Sequence, residues 1–89
     1  MNWRVDFSPD AAKFLRRNRV EDEEVTELIV HVLRKFRGED VNVHVKKLGG
    51  KWEGFYRIRP GKLRIIVEFQ FERYRAYIER VDWRGGVYK

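Results

Sequence analysis

The chain has no cysteine among its 89 residues. Disulfides and thiolate metal sites are therefore excluded, and a reducing compartment fits. Its two prolines are Pro9 and Pro60, and its one methionine is the first residue. No apolar run approaches the roughly 20 residues that a membrane span needs, and the opening "MNWRVDFSPD" is too polar for a signal peptide. Repeats, linkers and low-complexity tracts are missing as well. The expectation is a soluble, cytoplasmic protein without a membrane partner, folded as a single domain over residues 1–89.

Acidic residues are scarce in only one half. Residues 1–40 hold 8 Lys/Arg and 9 Asp/Glu, whereas residues 41–89 hold 12 and 5. The whole formal excess of +6 thus sits in the second half. Such asymmetry points to a polyanionic partner, of which nucleic acid is the commonest.

The pattern of apolar residues gives the element order. Trp3, Val5 and Phe7 alternate with Asn2, Arg4 and Asp6, as in a half-buried strand. Ser8 can cap a following helix, with Pro9 at its first position and Asp10 against the positive end of its dipole. Val25, Leu28, Ile29, Val32, Leu33 and Phe36 form one stripe of a longer helix. Its start carries Glu21, Asp22, Glu23 and Glu24, its end Arg34, Lys35 and Arg37, and Gly38 can stop it. The acidic cluster is thereby helix chemistry rather than a metal site. After Gly38 the period falls to two. Val41, Val43 and Val45 alternate with Asn42, His44 and Lys46 in a second strand. A hairpin follows over Phe55–Arg59 and Leu63–Phe69, and "YRAYIERVDW" forms the last strand. This order predicts an α+β fold. An N-terminal strand and two helices pack on one face of a mostly antiparallel sheet, completed by four sequential strands.

The hairpin "FYRIRPGKLRIIVEF" carries the most information. A Pro60-Gly61 loop would pair Arg59 with Lys62, Arg57 with Arg64, and Phe55 with Ile66. The other face would pair Ile58 with Leu63 and Tyr56 with Ile65, which suits burial under a helix. Like charges directly opposite each other destabilise a sheet. Either an anion bound across this face, or an internal carboxylate from Glu53, Glu68 or Glu79, would offset the repulsion.

The ordered set "KLGG", "YRIR", "LRIIVEF" and "WRGGVYK" resembles the RelE/ParE superfamily of toxins from type II toxin–antitoxin systems, over essentially the whole chain. The RelE branch implies a ribosome-dependent endoribonuclease that cuts messenger RNA in the A site. Attack by a ribose 2′-OH on the adjacent phosphate leaves a 2′,3′-cyclic phosphate and a 5′-OH. The resemblance assigns catalysis to Arg57, Arg59, Arg64, Arg84 and Tyr88; apart from it, Lys62, Trp52 and Lys47 are candidate RNA contacts. It implies no cofactor or metal, and a RelB-like antitoxin partner in a hetero-oligomer. The alternatives are a ParE-like inhibitor of DNA gyrase and a non-catalytic nucleic-acid-binding module. The sequence departs from the best-known RelE pattern in having arginine at Arg57 and Arg59, where that pattern has lysines. Some relatives carry a further C-terminal helix, whereas this sequence stops at Lys89.

Arginine clamps phosphate well but is a poor general base. Arg59, Arg64 and Arg84 are therefore read as the clamp, and Arg57 as an electrostatic aid to 2′-OH ionisation from across Arg64. Tyr88 is read as stacking on a base or acting in proton transfer, with stacking the cheaper role for a phenol, and Gly85 and Gly86 would let the tail bend so that it returns over the basic face. A base of the usual ribonuclease type is not evident. His31 reads as surface or interface, His44 as facing the basic side or solvent, and Glu68 as a structural ion-pair partner.

Overall fold

The computed structural model describes residues 2–83. Seven elements follow one another in the expected order: β1 (Arg4–Phe7), α1 (Pro9–Arg17), α2 (Asp22–Phe36), β2 (Val45–Lys47), β3 (Phe55–Ile58), β4 (Leu63–Gln70) and β5 (Arg75–Trp83). The strands form one sheet in the order β1-β5-β4-β3-β2. All neighbours are antiparallel except β1, which runs parallel to β5. Among the described residues no helix is long and apolar enough to cross a membrane.

Both helices start as the sequence suggests. Ser8 Oγ accepts from Ala11 N–H (3.0 Å) and donates to the Glu79 carbonyl (2.7 Å), so one hydroxyl caps α1 and ties it to β5. At the start of α2 the Glu21 N–H donates to the Glu24 carboxylate (3.1 Å), which is half of a capping box. Leu15 of α1 and Val25, Ile29 and Val32 of α2 are almost fully buried. They cover Ile58, Ile65, Val67, Ala76, Ile78 and Val81 on one side of the sheet. Phe36, at the end of the α2 stripe, is 39% exposed. It joins an aromatic group with Tyr56, Phe69 and Phe71.

Two expectations need correction. The second strand begins at Val45, not Val41. The Val41 and Val43 amides donate to carbonyls two residues back, Glu39 and Val41, instead of to β3. On the partner strand the last ladder amide is that of Arg59, which donates to the His44 carbonyl, and Pro60 after it has no N–H to offer.

The hairpin register is also two residues away from the expected one. Phe55 pairs with Glu68, Arg57 with Ile66, and Ile58 with Ile65. The cause lies in the turn. Two-residue hairpin loops favour φ > 0 at their first central position, which proline cannot adopt. Gly61 has φ +61° and takes that place. The Leu63 N–H closes the loop on the Pro60 carbonyl (3.1 Å). Lys62 therefore lies in the loop rather than opposite Arg59. A shift of two leaves every side chain on its expected face, so the apolar side survives intact.

Candidate nucleic-acid interface

The face of the sheet away from the helices is organised in cross-strand rows. Extending the ladders past Ile58, the first row holds His44, Arg59, Arg64 and Asp82. The second holds Lys46, Arg57, Ile66 and Arg80. The third holds Phe55, Glu68, Tyr77 and Asp6, and the fourth Gln70, Arg75 and Arg4.

A β-bulge makes this arrangement. The pairing steps from Ile66–Arg80 to Val67–Ile78, which leaves Glu79 as the extra residue. Before it Ala76 and Ile78 are buried, and after it Val81 is. The switch of parity is what turns Arg80 and Asp82 onto the open face.

The two ends of the face differ in charge balance. In the third and fourth rows, Asp6 accepts from Arg75 (2.6 Å) and Arg4 (2.9 Å), Gln70 donates to Glu68 (3.0 Å), and Arg75 lies 4.9 Å from the centre of the Tyr77 ring. The Arg75 hydrogen bond, aided by Arg4, holds the Asp6 carboxyl below its ordinary value. This end neutralises itself. In the first row, Arg64 makes a two-pronged ion pair with Asp82, Nε to Oδ1 and Nη2 to Oδ2, both at 3.0 Å. The internal carboxylate is thus Asp82, and not Glu53, Glu68 or Glu79. The pair fixes the plane of the Arg64 guanidinium. The second row has three cations and no carboxylate, and Arg57 Nε is buried without a hydrogen bond.

The expected site residues divide accordingly. Arg59 and Arg64 share the first row. Arg57 does not face Arg64; it sits opposite Ile66 and Lys46, so its reading as a direct partner of Arg64 is withdrawn. Lys47 pairs with Tyr56 and therefore lies on the helix side of the edge strand, away from the arginines. Trp52 is 41% exposed and packs edge-on against Phe55 at 5.2 Å, beside the third row. Arg84 and Tyr88 lie outside the described residues. The sequence reading missed Lys46 and Arg80 as members of the basic face. The alternation that places His44 there also places Lys46, and the step of three from Ile78 to Val81 in an otherwise two-residue pattern is the sequence mark of the bulge that places Arg80. Glu68 lies four residues along β4 from Arg64 and accepts from the neutral Gln70 amide, so among the described residues it is a hydrogen-bond partner rather than the expected ion-pair partner.

Comparison with solved structures identifies the fold. The YoeB–YefM toxin–antitoxin complex of Staphylococcus aureus contains a chain that matches with a TM-score of 0.67 at 18% identity, over 94% of this chain and 99% of that one. The archaeal RelE–RelB complex of Pyrococcus horikoshii matches with a TM-score of 0.61 at 22% identity, over 96% and 98%. YafQ from Escherichia coli matches with a TM-score of 0.60 at 14% identity, over 99% and 100%. No family model matches the sequence, and no curated protein does. The chain therefore has the RelE-like toxin fold, with two helices on a five-stranded mixed sheet.

Proposed function

We propose that this chain is the toxin of a toxin–antitoxin pair and cuts messenger RNA at the ribosomal A site, without a metal, by attack of a 2′-OH on the adjacent phosphate. The observation that carries this reading is the first row of the open face. There an imidazole, two guanidiniums and an orienting carboxylate stand side by side. Such a reaction needs an acceptor for the 2′-OH proton, positive charge on the phosphorane-like transition state, and a proton for the leaving 5′-oxygen.

Arg59 and the Asp82-oriented Arg64 supply the positive charge on the phosphate oxygens. His44 is the proton acceptor, because a neutral imidazole carries a ring nitrogen with a lone pair whereas arginine stays protonated, and solvent water supplies the proton of the leaving 5′-oxygen. Arg84 adds to the clamp and Tyr88 stacks on a base, as the family resemblance implies. Positioning of the RNA by the ribosome contributes much of the rest, since orientation alone can lower a barrier by about 7–11 kcal/mol.

The cellular setting follows from the same reading. The protein acts in the cytoplasm and is silenced by a RelB-like antitoxin. The neighbours' complexes with YefM and RelB support such a partner.

The test is an in vitro translation reaction mapped by primer extension, with the purified protein and with Arg59→Ala, Arg64→Ala and His44→Ala variants. Cuts within codons at the A site, ending in a 2′,3′-cyclic phosphate and weakened by each variant, are expected. Intact message with the unaltered protein would overturn the reading and leave gyrase inhibition or plain nucleic-acid binding.

A further inference from the structure

The second row has no part in the chemistry just assigned, yet it concentrates more uncompensated charge than the first. Lys46, Arg57 and Arg80 line it around Ile66. None of the three takes part in any ion pair among the described residues. Lys46 stands directly opposite Arg57, a like-charge pair that destabilises the ladder. Arg57 Nε is buried and unsatisfied, which costs free energy until an acceptor arrives. Elsewhere on this face each close approach of cations has a carboxylate: Asp6 between Arg4 and Arg75, and Asp82 on Arg64. Among the described residues the second row has no such carboxylate.

Its spacing from the first row matters. Arg57 is two residues from Arg59, Ile66 two from Arg64, and Arg80 two from Asp82. Two residues along a strand span about 6.7 Å. That is close to one sugar–phosphate repeat of an extended single strand. Arg57 and Arg80 flank Ile66 two strand spacings apart, roughly 10 Å between backbones, which a phosphate can bridge through their long side chains.

We infer that the second row is a binding subsite for the phosphate next to the scissile one on a single-stranded RNA, held by Lys46, Arg57 and Arg80. This inference rests on the proposed function for the identity of the first row. It places Arg57 in substrate binding rather than in bond breaking. It also sets the direction of the strand, which runs along β3 and β4 from the turn toward Phe55. The self-neutralised third and fourth rows end the charged track there.

The inference can be tested without the ribosome. A fluorescent, fully 2′-O-methylated oligouridylate of about eight nucleotides, which cannot react, is titrated with the protein at several salt concentrations by fluorescence anisotropy. Lys46 and Arg80 are exposed, so Lys46→Gln and Arg80→Gln should leave the fold intact, and thermal melts check this. Each lost phosphate contact flattens the slope of log K against log salt by about 0.7 for a single strand, so the double variant, which disables a one-phosphate subsite, should flatten it by about 0.7. Arg73→Gln, on the turn between β4 and β5, is the control and should keep the full slope. A double variant with the unaltered slope would overturn the inference even if A-site cutting is observed. A flattened slope in a protein that cuts no message would support the subsite while sinking the nuclease.

Discussion

The ion pair between Arg64 and Asp82 gives the sharpest test of the site, because it links stability to the proposed chemistry. Consider Asp82→Ala. Exposed ion pairs contribute about 0.2–1 kcal/mol, and breaking a fully buried one costs about 3–5 kcal/mol. Here the side chains retain 30% and 24% of their exposure, between these limits, and two hydrogen bonds near 3.0 Å are lost together. Asp82 also offsets the repulsion of the neighbouring Arg59. We therefore expect a loss of about 1.5–2 kcal/mol by urea denaturation, or roughly 10 °C in Tm for a domain of this size. A double-mutant cycle with Arg64→Ala isolates the pair and should give a coupling of at least about 1 kcal/mol. Cleavage in the translation assay should fall about tenfold or more, because Arg64 keeps its charge but loses its orientation. Coupling within about 0.3 kcal/mol of zero, where distant sites add independently, would refute the claim that Asp82 holds Arg64 in place.

Three further outcomes follow from other parts of the fold. Ser8→Ala removes both the α1 cap and the bond to the Glu79 carbonyl, and should cost about 2 kcal/mol in chemical denaturation. Gly61→Ala meets no atom within 4 Å of the added Cβ, so its cost is conformational: about 1 kcal/mol for φ +61°, with Gly61→Asn milder. Asp6 titrates lower in the fold than its ordinary 3.8, so it contributes stability that is present above that value and lost as pH falls through the folded one. The stability gap between the unaltered protein and Asp6→Asn should thus be constant near pH 6 and close below about pH 4 in acid unfolding curves.

The helices and the apolar side of the sheet were legible because burial imposes a period. The stripe from Val25 to Leu33 and the alternation of Ile58, Ile65 and Val67 each fix which side faces the core. The open face obeys no such rule. The expected pairing of Arg57 with Arg64 came from placing proline inside the loop, and the preference of a tight hairpin for positive φ at Gly61 overrides that. Both registers bury the same residues, so the hydrophobic pattern cannot choose between them. Of the two adjacent lysines the register puts Lys46, and not the expected contact Lys47, on the open face. His44 was placed on the correct side by alternation, but its position in the row of Arg59 and Arg64 depends on that same shift.

The bulge at Glu79 connects these observations. With unbroken alternation from Ala76 and Ile78, the next inward residues of β5 would be Arg80 and Asp82, and Val81 would face solvent. Burying an unpaired arginine and an aspartate beneath α1 costs far more than the ladder bond that a bulge gives up. The extra residue therefore satisfies the core. Its effect on the open face is equally large, since it delivers Asp82 to Arg64 and Arg80 to the row of Arg57. The Ser8 hydroxyl bonds the carbonyl of the bulged residue itself, so the cap of α1 braces the point where the strand changes parity. Fold and site are in this sense set by one irregularity, and variants that shorten β5 by one residue should lose both together.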